Sequence, residues 1–383
     1  MVSIQKLPSL LPDEPKDHHI GNPPKAFRNP WPSFNPSHHS LGNIVKVRFG
    51  KDRPTFVPVP NDRSELVPVQ RVDFSTPHPG PKVTWIGHAS FLVQTGKEDS
   101  ALRGINILCD PVFSERTSPF TWFGPKRYTP TPCTLEELLD AVEIDLVVIS
   151  HNHYDHADAE TLKAIWARRR SKVHFLVGLH NSRWLTAIGI DRSSITELDW
   201  WEGVDIEVNG IGKARITCTP TQHFSRRSIW DSNHDLWCSY AIQDLQGSGK
   251  RIYFAGDTAY RSIHSMNLSR EEEDAQPACP AFKQIGDLLG PFDLSLLPIG
   301  LCEPRDFMSN VHANSWDSIR IHQDVKSRRS IGMHWGTVRG GLSQYYEDVR
   351  TPMKHWKMAA EEAGLKWGEE IGVLDIGETL VLD

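Results

Sequence analysis

The residues able to do chemistry are concentrated in His151-Asn152-His153-Tyr154-Asp155-His156-Ala157-Asp158, with three imidazoles and a carboxylate inside six positions. Imidazole nitrogens and carboxylate oxygens are the donors that hold first-row divalent cations, and this spacing lets neighbouring side chains diverge toward two ions. Three more ligand-type residues, His223, Asp257 and His334, each stand just past an apolar run that reads as a strand. One histidine or aspartate after a strand is ordinarily a turn or cap residue. Three in the same position relative to their strands, beside a His-x-His-x-Asp-His loop, make a constellation. The seven divide between two metals: His151, His153 and His223 at one, Asp155, His156 and His334 at the other, Asp257 bridging. Two Zn2+ fit a donor set without thiolate best, with Mn2+ or Fe2+ as alternatives. Two such cations roughly 3.5–4 Å apart stabilise both oxygens of a displacement, and zinc-bound water ionises near pH ~7. Asp155 and Asp257 therefore count as catalytic as well as ligating.

The elements around the loop have to hold it rigidly. Asp145 to Ser150 is apolar without alternation, as in a strand buried on both faces. Leu162, Ile165 and Trp166 follow at helical spacing, with Asp158 in N-cap position. The loop therefore joins a strand to a helix at a sheet edge. Further strands are predicted over 82–86, 91–93, 105–109, 174–178, 214–219, 236–243, 251–255 and 330–333, and a helix over 182–188 stopped by Gly189. Thr134 and Glu137 form a capping box for a short helix reaching Val142. His88, just after Gly87, reads equally as a site residue and as a buried turn histidine.

Composition narrows the classes. With 383 residues, 39% hydrophobic and 23% charged, the chain has the make-up of an ordinary globular protein. A net charge of -6 argues against nucleic acid as a partner, and Arg168-Arg169-Arg170 reads as cations closing a helix C-terminus. No apolar run approaches the ~18 residues of a membrane span. The six cysteines are scattered without paired spacing, and the opening residues, with Asp13 and Glu14 among prolines, lack a secretory core. The expectation is an intracellular, reducing compartment, with the protein soluble or peripherally membrane-associated. Residues 1–45 are expected to be an extended, loosely ordered arm, and 46–383 one domain with an exposed insertion at about 262–278.

Beyond the metal residues lie Asn29-Pro30-Trp31-Pro32, Thr84-Trp85-Ile86-Gly87-His88-Ala89, Asp110-Pro111-Val112-Phe113 and Gly124-Pro125-Lys126-Arg127. Thr219-Pro220-Thr221-Gln222-His223, Phe254-Ala255-Gly256-Asp257-Thr258, Glu303-Pro304-Arg305 and His334-Trp335-Gly336-Thr337 continue the series. Together these resemble the N-acyl-phosphatidylethanolamine-hydrolysing phospholipase D family of the metallo-β-lactamase superfamily. The resemblance implies an α/β (α+β) fold, the αβ/βα four-layer sandwich with metals at one edge. It implies cleavage of a phospholipid phosphodiester to an N-acylethanolamine and phosphatidic acid, with peripheral membrane contact. It also implicates Asp110 and His312 in activity. The insertion and the stretch Val338-Arg339-Gly340-Gly341 depart from the family pattern, and both bear on lipid specificity.

Acyl chains need apolar surface, and Phe120, Trp122 and Phe123 beside Lys126 and Arg127 are the candidates, with Tyr154 a further substrate contact. The runner-up function is a hydrolase of the same fold acting on another phosphodiester, RNA included, or on a lactone. The sequence is compatible with a homodimer and does not select an oligomeric state.

Overall fold

The computed structural model describes residues 2–37, 41–50, 53–74, 78–97, 101–120, 122–246 and 248–383. Two mixed sheets face each other. One runs in the order Val2–Leu7, Gly203–Val208, Gly212–Thr219, Ser239–Asp244, Arg251–Phe254, Leu294–Pro298, Ser330–Met333, Ile371–Gly372. The other runs Thr379–Val381, Lys82–Gly87, Ser90–Gln94, Asn106–Cys109, Leu146–Ile149, His174–Gly178, Ile195–Leu198.

Side-chain alternation explains why strands in this second sheet are apolar throughout. In Leu146–Ile149, Leu146 and Val148 join the core between the sheets, while Val147 and Ile149 join a core beneath helices Leu135–Ala141 and Ala159–Arg169. Helices Ser315–Asp324 and Thr351–Glu362 cover the first sheet, bringing Ile319 and Trp356 to its core. The result is the helix–sheet–sheet–helix sandwich that the resemblance implies. In the first sheet Arg251–Phe254, Leu294–Pro298 and Ser330–Met333 run parallel, and in the second Asn106–Cys109, Leu146–Ile149 and His174–Gly178 do, so their carboxyl ends emerge at one edge, where open α/β sheets bind ligands.

Local signals translate directly. His174–Gly178 and Ser330–Met333 form as expected, Thr134 and Glu137 complete their capping box, and the Asp158 side chain accepts from the Glu160 amide as N-cap.

The expectation of a loosely ordered arm is corrected. Val2–Leu7 pairs antiparallel with Gly203–Val208 from Val2 opposite Val208 to Leu7 opposite Gly203, filling an edge that would otherwise leave backbone groups unpaired. Val2 and Ile4 pack on the core, a two-residue alternation easily lost before the proline-rich stretch that follows. Further along, Phe27 is buried, and the buried Asp199 meets His18 at 2.7 Å, His19 at 3.0 Å and Lys16 at 3.3 Å. Residues 38–40 of the arm lie outside the described residues. The segment expected to be an insertion is exposed apart from the buried Ile263 and carries the short capped helix Arg270–Asp274, tied back by Arg261 to Asp274 at 3.0 Å.

Candidate metal centre

All seven ligand candidates come together at that sheet edge. His151, His153, Asp155 and His156 leave the end of Leu146–Ile149, while His223, Asp257 and His334 follow Gly212–Thr219, Arg251–Phe254 and Ser330–Met333. They resolve into the two groups expected. Ligand atoms of His151, His153, His223 and Asp257 lie within 4.8 Å of one another, and so do those of Asp155, His156, His334 and additionally His88. In the first group His151 Nε2 is 2.8 Å and His223 Nε2 3.3 Å from His153 Nδ1. Asp257 Oδ2 is 3.9 Å from His151 Nε2, 3.7 Å from His223 Nε2 and 3.2 Å from His156 Nε2; Oδ1 is 3.0 Å from His334 Nε2. Asp257 thus faces both groups, as a bridging carboxylate must.

Three of the rings are oriented by what holds their other nitrogen, the usual arrangement behind metal-binding histidines. His151 Nδ1 meets Ser150 Oγ at 2.9 Å and His223 Nδ1 meets the Val311 carbonyl at 2.7 Å. His156 Nδ1 meets Asp110 Oδ2 at 2.7 Å. Asp110 is wholly buried and also accepts from the Ser150 amide at 2.7 Å and hydroxyl at 2.5 Å. It therefore acts through His156 and the His151 loop, away from any substrate.

The electrostatics favour cations here. Burial alone would raise the carboxyls of Asp155 and Asp257, but the surrounding histidines hold both well below the ordinary carboxylate range. Burial, reinforced by neighbouring imidazoles, pushes His151 and His223 well below the usual histidine value, and burial takes His153 down to about 4, leaving neutral donors. His156 goes the other way: burial opposes protonation, yet Asp257, Asp155 and Asp110 raise it well above its ordinary value, marking a point where positive charge is stabilised. His153 Nε2, His156 Nε2, His334 Nε2, Asp257 Oδ1 and His312 Nδ1 are all buried without a hydrogen-bond partner. An unsatisfied buried polar group costs about 1–3 kcal/mol, and a concentration of them at one point fits residues arranged for metal ions.

Asp155, Asp257, His153, His312 and His334 form the floor of a cavity of about 530 Å³. Phe34, Phe224, Phe307, Met308, Val311 and Leu342 make apolar walls, with Arg226 among the polar lining. His312 is buried, lowered to about 4 by desolvation, with Nδ1 3.8 Å from Asp257 Oδ2. Gly340 and Gly341 from the divergent stretch line this cavity, whereas residues 262–278 contribute nothing to it.

The expected substrate contacts do not converge on it. Phe120, Trp122 and Phe123 meet in tilted ring contacts at the surface, Trp122 75% exposed, and none lines the cavity; Thr121 between them lies outside the described residues. The Tyr154 hydroxyl donates to the Arg227 carbonyl at 3.0 Å, its ring lying under the Arg227 guanidinium. Arg227 also donates to the carbonyls of Asn152 and Ala157, so both residues brace the metal loop from behind.

The arm supplies what local reading missed. Asn29 Nδ2 donates to the His223 carbonyl at 2.7 Å and the His223 amide donates to Asn29 Oδ1 at 3.2 Å. Ser33 Oγ donates to Gln222 Oε1 at 2.6 Å, and Asn35 and Asn310 exchange hydrogen bonds at 2.8 and 3.0 Å. Residues 29–36 thus bind the loops carrying His223 and His312, and add Phe34 and Pro36 to the cavity. The only local signal was the quoted Asn29-Pro30-Trp31-Pro32.

Comparisons with known proteins bear on the family and the fold. The family described as "Beta-lactamase superfamily domain" matches residues 105–335. The N-acyl-phosphatidylethanolamine-hydrolyzing phospholipase D 1 of Caenorhabditis elegans is 36% identical over 347 residues, 88% of each chain. The mitochondrial enzyme of that name from Saccharomyces cerevisiae is 32% identical over 285 residues, 74% of this chain and 52% of its own. Among solved structures, a metallo hydrolase from Ignicoccus hospitalis shares the fold with a TM-score of 0.50 at 23% identity, covering 79% of this chain and 98% of its own.

Proposed function

Because this chain belongs to the N-acyl-phosphatidylethanolamine-hydrolysing phospholipase D family and is a metal-dependent hydrolase of the metallo-β-lactamase fold, we propose that it hydrolyses the phosphodiester of N-acylated phosphatidylethanolamine, releasing an N-acylethanolamine and phosphatidic acid. One observation carries the reading: a floor of anionic and imidazole donors with orphaned atoms opens into a cavity whose walls are apolar. Such a site suits an amphiphile with a phosphate at its polar end.

His151, His153, His223 and Asp257 would hold one zinc ion, and Asp155, His156, His334 and Asp257 the other. When bound, the pair supplies Lewis acidity and activation of water. Asp155 and Asp257 stay ionised against burial and so balance the cationic charge. Asp110 fixes the His156 ring and the His151 loop. His312, neutral and with Nδ1 unpartnered beside the cavity, donates a hydrogen bond to a substrate phosphate oxygen. Arg226 adds a cation to the lining where a phosphodiester approaches. The apolar walls take acyl carbons, each buried CH₂ contributing about 0.8 kcal/mol.

No helix among the described residues is long and apolar enough to cross a membrane. The exposed Phe120, Trp122 and Phe123, with the half-exposed Lys126 beside them, are the surface we assign to peripheral contact with a bilayer. The test is metal analysis of the purified protein with turnover on N-acylated phosphatidylethanolamine, an RNA and a lactone. We expect two zinc ions per chain and turnover of the phospholipid. Turnover of RNA or lactone alone would overturn the substrate assignment.

A further inference from the structure

Asp155 and His334, partners in the second ligand group, arrive from opposite sheets, one after Leu146–Ile149 and the other at the end of Ser330–Met333. Neither strand sets the separation of these two side chains, yet metal–ligand distances tolerate only about ±0.2 Å. His88 touches both. It sits in the turn between Lys82–Gly87 and Ser90–Gln94, wholly buried, at φ 57, a left-handed conformation uncommon for a residue with a side chain. Its carbonyl accepts the His334 amide at 3.1 Å and the Trp85 indole N–H at 2.9 Å. Its Nε2 lies 3.1 Å from Asp155 Oδ2 and its Nδ1 3.1 Å from Thr337 Oγ1, three residues beyond His334. Its ring centroid is 4.1 Å from that of His334.

Asp155 Oδ2 is an ionised acceptor, so the proton shared with it belongs to His88 Nε2, and Nδ1 is left to accept the Thr337 hydroxyl. We propose that His88 is a positioning residue of the metal centre, holding the Asp155 carboxylate in register with His334 across the two sheets. The inference rests on the metal-dependent hydrolase reading and adds to it a residue outside the seven. The competing arrangement is direct coordination by His88 Nε2, since its ligand atom lies within 4.8 Å of those of Asp155, His156 and His334.

The test uses metal-free full-length protein titrated with zinc against a chromophoric chelator, and the visible spectrum of the cobalt(II)-loaded protein. Wild type is compared with His88→Ala, His88→Gln and Thr337→Val. We expect His88→Ala to weaken the more weakly held zinc about 10–100-fold, the effect of losing a hydrogen bond behind a ligand, with the cobalt spectrum keeping its coordination number. His88→Gln, which retains an N–H donor, should recover most of that affinity. Thr337→Val should shift affinity the same way by a smaller factor, which keeps a test in hand if His88→Ala does not fold. Unchanged zinc affinity in His88→Ala, or in Thr337→Val if His88→Ala does not fold, would overturn the proposal and leave His88 a turn residue. Failure of His88→Gln to recover affinity, together with loss of a nitrogen ligand from the cobalt spectrum, would overturn it in favour of coordination. A wild-type protein that binds no metal would instead overturn the hydrolase reading and this inference with it.

Discussion

Two eight-residue segments meet at the metal centre, the loop 151–158 and the arm segment 29–36, and they contribute in opposite ways. The loop carries its chemistry in residue types: His151, His153, Asp155 and His156 present the donor atoms themselves. Among the described residues, the arm presents no donor to either ligand group. Asn29, Ser33 and Asn35 hold the backbone and side chains of His223, Gln222 and Asn310, and Phe34 walls the cavity. The loop is held from both ends by a strand and a capped helix of its own neighbourhood. The arm is held by a strand pairing and an ion-pair cluster with residues near 200. A residue that performs chemistry is recognisable within a constellation of like residues, while a residue that positions one is recognisable only beside its partner.

This contrast can be broken or sharpened by substitution. The largest effect belongs to the loop: His153→Ala should lower bound metal, measured by elemental analysis, and reduce turnover by more than the ~100-fold typical of losses behind the ligands. A folded His153→Ala protein with full metal content and full turnover would remove the loop from the site. Next comes Asn29→Ala, which leaves the buried His223 amide and carbonyl without partners, a cost of about 1–3 kcal/mol. It should lower the melting temperature and weaken zinc binding in the same protein. Loss of melting temperature alone, with zinc affinity intact, would reduce the arm to a purely stabilising element.

Acidification should release the arm through Asp199. Burial would raise this carboxyl, but His18, Lys16 and His19 outweigh it and hold it at about 2, against an ordinary 3.8. A depressed carboxyl contributes stability above its unfolded value and loses that contribution as pH falls through its folded value, so the loss falls between pH 3.8 and about 2. Asp199→Asn should flatten that window and make residues 2–27 more readily cut by protease at neutral pH. Protease resistance equal to wild type would show that strand pairing alone holds the arm.

The smallest effect on the centre is expected of Trp122→Ala. Its 75% exposure predicts an unchanged melting temperature and unchanged turnover of a water-soluble phosphodiester, with weaker sedimentation on phospholipid vesicles. A drop in soluble turnover would tie this loop to the cavity after all.

How far the molecule was legible follows the range of each interaction. His174–Gly178, Ser330–Met333 and the Thr134 capping box depend on neighbours within a few residues, and they form as their sequence suggests. Val2–Leu7 was hidden because its partner lies two hundred residues away and its alternation is too short to stand above the prolines that follow. Trp122 and Tyr154 show the converse: an aromatic residue beside cations has the same local appearance whether it meets substrate, membrane or Arg227.

What the chain's residues determined by themselves was the donor set and its division into two groups. Donor types are intrinsic to side chains, and parallel strands deliver the residues after their carboxyl ends to a common edge. Only the tertiary structure decided what aims those donors: Asp110 behind His156 at a separation of 46 residues, the Val311 carbonyl behind His223 at 88, and Asn29 on the same loop at 194. Such contacts are selected by the packing of two sheets and an arm, which no local periodicity encodes, and they complete a site whose candidate ligands could be read together from the sequence.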